Sequence, residues 1–139
     1  MMNSAPSSRQ LGRSVVAVLA GMAVGIVLTL ATDLVLHKLH VFPPYGVRVP
    51  DRLLFLATAY RTVYGIAASY LTAYLAPCRP IAHAMVGGGL GFLAALAGAI
   101  ATWNAGPAYE PHWYPVALVV LALPQSWFGG WLRARSIRV

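Results

Sequence analysis

An acid and a histidine one helical turn apart occupy the end of a long apolar run in this chain. Asp33 and His37 lie four residues apart in the stretch LATDLVLHKLH, so on a helix their side chains share one face. A charged residue near the centre of a membrane helix costs on the order of 2.5 to 3.5 kcal/mol, and such residues usually meet a partner or a functional site. The chemistry open to Asp33 is therefore an ion pair, a proton-binding site or a metal ligand.

A charge that could pair with Asp33 lies inside the next apolar run, at Arg61. Counted at ~1.5 Å per residue, Asp33 lies ~9 Å before the end of its run and Arg61 lies ~12 Å after the start of the next. Because consecutive runs are antiparallel, the two charges have nearly the same depth. We expect them to form an ion pair, with Tyr60 or Tyr64 supplying a further hydrogen bond.

Several polar residues share this level and define the candidate site. The residues predicted to form a ligand-binding site or a structural ion pair are Asp33, Arg61, Tyr60, Tyr64, His37 and Asn104. An ion pair that only fixes the register of two helices is as compatible with this set as a binding site is.

A metal site is a weaker alternative, with Asp33, His37 and His112 as the candidate ligands. Zinc takes about four ligands in a tetrahedral array, and the remaining ones, such as Glu110, would come from connecting segments. The sequence carries no nucleophile motif, phosphate-binding loop or dinucleotide fingerprint, so neither an enzymatic activity nor a cofactor is predicted.

The composition indicates a membrane protein. Of the 139 residues 59% are hydrophobic and 9% are charged, against about 25% charged in an ordinary soluble domain. The net charge of +7 does not indicate nucleic-acid binding, since the basic residues fall mostly at the ends of apolar runs, where membrane proteins carry them. The single cysteine, Cys78, excludes a disulfide within the chain.

Four apolar runs reach the ~20 residues that a membrane span requires. Proline and glycine mark the connections between them, and the predicted spans cover residues 14–39, 53–76, 81–103 and 113–132. The first run exceeds the ~7 to 15 apolar residues of a signal peptide, so we expect a span there. The predicted fold is an all-α, integral membrane four-helix bundle in a single domain.

The distribution of basic residues predicts the orientation of this bundle. The segments on the side of the two termini hold six basic residues and the opposite segments hold three, namely Arg9, Arg13, Arg79, Arg133, Arg135 and Arg138 against Lys38, Arg48 and Arg52. The positive-inside rule then predicts that both termini are cytoplasmic. The polar site around Asp33 would open to the outer side.

Small residues recur at helical spacing on two of the runs. They are Ala17, Gly21 and Gly25 on the first run and Gly87, Gly91, Ala94 and Gly98 on the third. Because helices in lipid approach closely through small residues, both series predict tight helix packing rather than an approach path for a ligand.

Four stretches carry a resemblance to known proteins: ATDLVLHKLHVFPPYG, LATAYRTVYGIAASYLTAYLAP, RPIAHAMVGGGLG and ATWNAGPAYEPHWYP. They resemble stretches of a group of small bacterial inner-membrane proteins that have four predicted spans and no assigned activity. The resemblance covers nearly the whole chain. It implies the four-span topology and a location in the bacterial inner membrane, and it implies no substrate.

The sequence favours a non-enzymatic membrane protein that binds a small ligand, a lipid or a partner subunit through the outward-facing polar pocket. The alternative is a small transporter, acting as a monomer or a dimer, that uses Asp33. The expected partners are membrane lipids and a second copy or another membrane subunit, and no nucleic acid.

Overall fold

The computed structural model describes residues 7–109 and 111–138, and this part of the chain is all-helical. It forms four α-helices and one short 3-10 helix at Pro107–Tyr109; the α-helices are α1 (Ser8–Lys38), α2 (Asp51–Leu75), α3 (Pro80–Thr102) and α4 (Trp113–Ile137). These bounds agree with the four predicted runs, except that α1 begins earlier and α4 ends later. Glu110, which the sequence places beside the candidate site, lies outside the described residues.

Three of the described helices are long and apolar enough to cross a membrane. The most apolar segments of α1, α3 and α4 have mean hydropathies of 2.4, 1.9 and 1.3. The second helix has 25 residues but falls short of this hydropathy, because it carries Arg61 and a series of tyrosines and threonines. The structure thus supports a membrane protein with three candidate spans, and a fourth span through α2 stays a prediction.

The helix ends follow from local sequence signals. Ser7 caps α1, since its hydroxyl accepts a hydrogen bond from the Gln10 backbone N–H at 3.4 Å. Pro50 precedes α2, and the acidic Asp51 in its first turn suits the positive end of the helix dipole. Pro80 occupies the first turn of α3, where its missing N–H costs no helical hydrogen bond. The polar segment of α2 lies beside the end of α1, as the hydrogen bonds between the two helices show.

The helix α2 lies at the centre of the bundle and contacts the other three helices, while α4 packs mainly against α2 and α3. On α1, Gly21 packs directly against Ala68 and Thr72 of α2, and a β-carbon added at Gly25 would lie 3.1 Å from that of Ala68. The predicted tight packing of α1 through its small residues is confirmed. A side chain at Gly21 would separate α1 from α2.

The same prediction is wrong for much of α3. A β-carbon added at Gly91 or Gly98 would have nothing within 4 Å, so neither residue closes a helix contact within this chain. The glycines of α3 that do so are Gly88, which packs against Ser126 of α4, and the predicted Gly87, whose added β-carbon would lie 3.9 Å from Val18 of α1 and 4.0 Å from Thr72 of α2. The physical reason is that the face of α3 shared by Gly87 and Gly91 contacts α1 and α2 at Gly87 and is uncovered one turn later, at Gly91.

The two ends of the bundle differ in how α1 meets α3. One end carries the start of α1, the connection 76–79 and the end of α4, and is called the termini end; the other carries residues 39–50 and 103–112, and is called the loop end. Near the termini end, Ser14 Oγ and His83 Nε2 share a hydrogen bond of 2.8 Å. Further along α3, the space beside Gly91 is open. A cleft between α1 and α3, lined by Gly25 and Gly91 among others, therefore begins beyond the contact of Gly87 with Val18.

Candidate functional site

The two charges that the sequence places inside apolar runs, Asp33 and Arg61, do pair. Arg61 Nη2 donates to Asp33 Oδ2 at 2.5 Å, and the Tyr60 hydroxyl donates to the other carboxylate oxygen, Oδ1. The Arg61 and Asp33 side chains are 31% and 21% exposed. The predicted ion pair and its tyrosine hydrogen bond are confirmed, and both oxygens of the carboxylate are engaged.

A second polar contact joins the same two helices beside the ion pair. The Tyr64 hydroxyl and Thr32 Oγ1 share a hydrogen bond of 2.8 Å, and the rings of Tyr60 and Tyr64 lie 5.8 Å apart. Thr32 is adjacent to Asp33 in sequence, and Tyr64 follows Tyr60 by one helical turn. Adjacent residues of α1 are thereby clamped to one polar face of α2, which holds the carboxylate in place.

Arg61 also reaches α4. Its guanidinium carbon lies 5.9 Å from the centroid of the Tyr114 ring, within the ~6 Å range of a cation–π interaction. Its Nε atom is buried, and no group of the described residues accepts a hydrogen bond from it. Sequence reasoning assigned Tyr114 to the aromatic belt at the headgroups and missed this contact. Its position at the start of α4, level with Asp33, was the available signal.

Two predicted site residues lie apart from the carboxylate. His37 Nδ1 donates to the Asp33 backbone carbonyl at 2.8 Å, and its ring stacks on Tyr45 at 4.2 Å. The histidine thus fixes the connection between α1 and α2. Asn104 is exposed in the turn after α3. The prediction that His37 and Asn104 belong to the site is therefore corrected, because neither side chain reaches the Asp33–Arg61 pair.

The structure does not bring together the three candidate metal ligands Asp33, His37 and His112. Residues 7–109 and 111–138 contain no group of three or more His, Cys, Asp or Glu side chains that could hold a metal ion. The Asp33 carboxylate is occupied by Arg61, and His37 is bound to backbone. His112 Nε2 donates to the Trp103 carbonyl at 2.7 Å, and the two rings stack. The three candidate ligands each have another partner.

A cavity of about 400 Å³ lies between the ion pair and the termini end. All four helices contribute to it, mostly through glycine, alanine and aliphatic side chains such as Gly25, Ile26, Gly65, Gly91 and Leu118. Arg61 lines its upper part, nearest the loop end. The open space beside Gly91 connects the cavity with the cleft between α1 and α3.

Polar side chains in the cavity wall fall into two classes. Ser126 and Thr72 donate to backbone carbonyls of their own helices, at 2.8 and 3.1 Å. In contrast, Thr29, Ser69 and Gln125 line the cavity without a side-chain hydrogen bond to any other described residue. Because polar groups in an apolar interior require hydrogen-bond partners, these three groups are available to a bound molecule.

Gln125 is the clearest of the residues that sequence reasoning left out. Its carboxamide lies directly against Gly65 of α2, one helical turn from Arg61. A lone amide beside Pro124 in an apolar helix was the only sequence signal, and it did not indicate which neighbour the amide faces.

Comparison with protein-family models, with curated proteins and with solved structures found no match to this chain.

Proposed function

We propose that this chain is a four-span protein of the bacterial inner membrane that binds a small lipophilic molecule in the cavity next to the Asp33–Arg61 pair. The observation that carries the proposal is the cavity itself. Its volume of about 400 Å³ falls within the ~300 to 1,000 Å³ of ligand pockets, which are likewise mostly apolar with a few placed polar groups.

The distribution of small residues supports a binding cavity over a packing defect. Elsewhere the helices touch closely, as where Gly129 packs on the Ile66 carbonyl and Gly130 on Ala84. Empty apolar space is destabilising, by roughly 24 cal/mol per Å³ in a soluble core. The open space at Gly91 would accept a larger side chain, so a glycine there leaves room for a molecule from outside the chain.

The ion pair supports α2 as the fourth span. Arg61 lowers the hydropathy of this helix, and its pairing with Asp33 removes much of the cost of placing either charge in hydrocarbon. The excess of arginine at the termini end supports cytoplasmic termini. In that orientation the loop end, with the ion pair, is the outer end of the bundle.

A matched pair of α3 variants tests the binding proposal. Gly91 lines the cavity and Gly89 does not, while a β-carbon at either position has nothing within 4 Å. We expect Gly91→Leu to fill the cavity and Gly89→Leu to leave it unchanged. Native mass spectrometry of protein purified in mild detergent should show a bound small molecule on the unaltered protein and on Gly89→Leu, and none on Gly91→Leu. The same adducts on Gly91→Leu, or none on the unaltered protein, would refute the proposal.

The transporter alternative is favoured by one observation, the pairing of the acid Asp33 with Arg61, which lines the cavity, and it makes a different prediction. Transport requires the cavity to open at the termini end, where Ser14 bonds His83 and Ser126 is 3% exposed. In a Cys78→Ser background, Ser126→Cys should resist a water-soluble maleimide added from the cytoplasmic side if the protein only binds. The unaltered protein, in which Cys78 is present and exposed, is the positive control for labelling. Rapid labelling of Ser126→Cys would favour transport.

A further inference from the structure

We infer that the ligand of the cavity is an uncharged lipophile that carries a carbonyl group, bound through Arg61 and Gln125; this inference rests on the proposed function. It names the chemical class of the ligand and the side chains that select it. The argument depends on the charge balance of the ion pair, on the groups left without a partner and on the opening between α1 and α3.

The charge of Arg61 is already balanced. Asp33 takes one Nη of the guanidinium, and the Tyr60 hydroxyl takes the other oxygen of the carboxylate. An anionic head group at Arg61 would therefore stand beside a second negative charge in a region of low dielectric, where like charges repel strongly. A neutral carbonyl oxygen accepts a hydrogen bond without that repulsion.

The guanidinium retains a donor for such an oxygen. The hydrogen bond from Arg61 to Asp33 uses Nη2, which leaves the Nη1 hydrogens without an acceptor among the described residues, and the side chain lines the cavity. An N–H that lacks a partner in an apolar interior is costly, and a carbonyl oxygen supplies the missing acceptor. The carbonyl is the group that matches this donor and leaves the Asp33 contact intact.

A second polar group lies one turn deeper. The Gln125 carboxamide packs against Gly65, which follows Arg61 by four residues, or ~6 Å along α2. The amide can donate and accept, so it can bind a second polar atom of the ligand head, or the same carbonyl from the other side. Thr29 adds a hydroxyl from α1. The helices α1 and α4 thus present neutral hydrogen-bonding groups to the cavity, next to Arg61 of α2.

The rest of the cavity suits a hydrocarbon chain. Its wall includes Gly25, Ile26, Leu118 and Leu121, and the space beside Gly91 is open toward the cleft between α1 and α3. In a membrane this cleft faces lipid, so a chain can leave the cavity sideways while the head remains at Arg61. Long-chain esters, ketones, amides and quinones have this form; the ionised fatty acid does not.

The test compares two photoreactive probes on the full chain in one detergent. The probes share a long hydrocarbon chain with a diazirine and differ only in the head: one is the methyl ester, and the other is the free acid at a pH where it is ionised. We expect the ester to label peptides of the cavity wall at least tenfold more than the acid. Gln125→Leu should weaken ester labelling roughly two- to tenfold, the range for loss of one hydrogen bond. Gln10→Leu, the same change at the exposed start of α1, should have no effect.

The outcomes separate this inference from the proposed function. Equal or stronger cavity labelling by the acid would overturn the neutral-carbonyl class and leave binding in the cavity intact. Ester labelling that does not change in Gln125→Leu would overturn the role of the amide. A third outcome is that neither probe labels the cavity while the unaltered protein still carries an adduct that Gly91→Leu lacks. That result would refute the neutral-carbonyl class of ligand and would still support binding in the cavity. If that adduct is absent too, both proposals fall.

Discussion

The ion pair between Asp33 and Arg61 makes a quantitative prediction about stability. Replacing Asp33 by leucine strands the guanidinium, and replacing Arg61 by leucine strands the carboxylate. Breaking a buried pair costs ~3 to 5 kcal/mol. Since the two side chains retain 21% and 31% exposure, we expect each single variant to lose about 3 kcal/mol, at the lower end of that range.

The double variant distinguishes an ion pair from two independent contributions. With both charges removed, no unpaired charge remains, so Asp33→Leu with Arg61→Leu should be more stable than either single variant. The Tyr60 hydroxyl then loses its acceptor, and because Tyr60 is only partly buried the cost should not exceed about 1 kcal/mol, the lower end of the range for a buried polar group. Adding Tyr60→Phe should recover part of that loss.

A second ion pair of the chain serves as a matched control. Arg48 and Asp51 approach to 3.8 Å, and both side chains are 55% exposed, so their coupling should be at most about 0.5 kcal/mol. The free energy of unfolding of each variant is measured by titration with SDS in mixed micelles, followed by tryptophan fluorescence, and the coupling energies come from the two double-mutant cycles. A coupling for Asp33 and Arg61 no larger than that of the control would refute the reasoning.

Two further predictions concern topology and packing. Reporter fusions after Gly46 or Pro107 should read as outside the cytoplasm and a C-terminal fusion as inside; a C-terminal fusion active only outside would reverse the proposed orientation. Gly21→Leu should lower the yield of folded protein, because a β-carbon at Gly21 collides with the Thr72 side chain. Gly12→Leu, on the same helix in open space, is its control, and equal yields of the two variants in size-exclusion chromatography would contradict the packing of α1 on α2.

The ion pair could be predicted because a strong physical rule acts on few residues. A charge in an apolar run needs a partner, the chain offers Arg61 at the matching depth, and antiparallel helices bring equal depths together. The same rule extends to Tyr60, whose hydroxyl is next to the arginine. The rule did not identify Tyr114, because an aromatic residue at a span end is equally well explained by the membrane interface.

The cavity could not be predicted because small residues have two opposite consequences. Gly21 and Gly91 both belong to series of small residues at helical spacing, and both series indicate close packing. In the structure Gly21 touches α2, while a β-carbon at Gly91 would meet open space. Whether a small residue packs closely or borders open space depends on how the helix axes approach each other. This is a tertiary property, and the spacing of residues along one helix does not determine it.

The low hydropathy of α2 and the position of the site have a common cause. Tyr60, Arg61 and Tyr64 face α1 or its charges, and Ser69 lies in the cavity wall, so the polar residues that lower its hydropathy face protein. The surface that the other three helices leave uncovered on α2 carries apolar side chains, among them Phe55, Leu56 and Val63, which suits the proposed fourth span. If α2 lay outside the membrane, Asp33 would remain in the apolar helix α1 without its cation, and Gly21 would lose the helix against which it packs. The site and the fourth span therefore depend on each other.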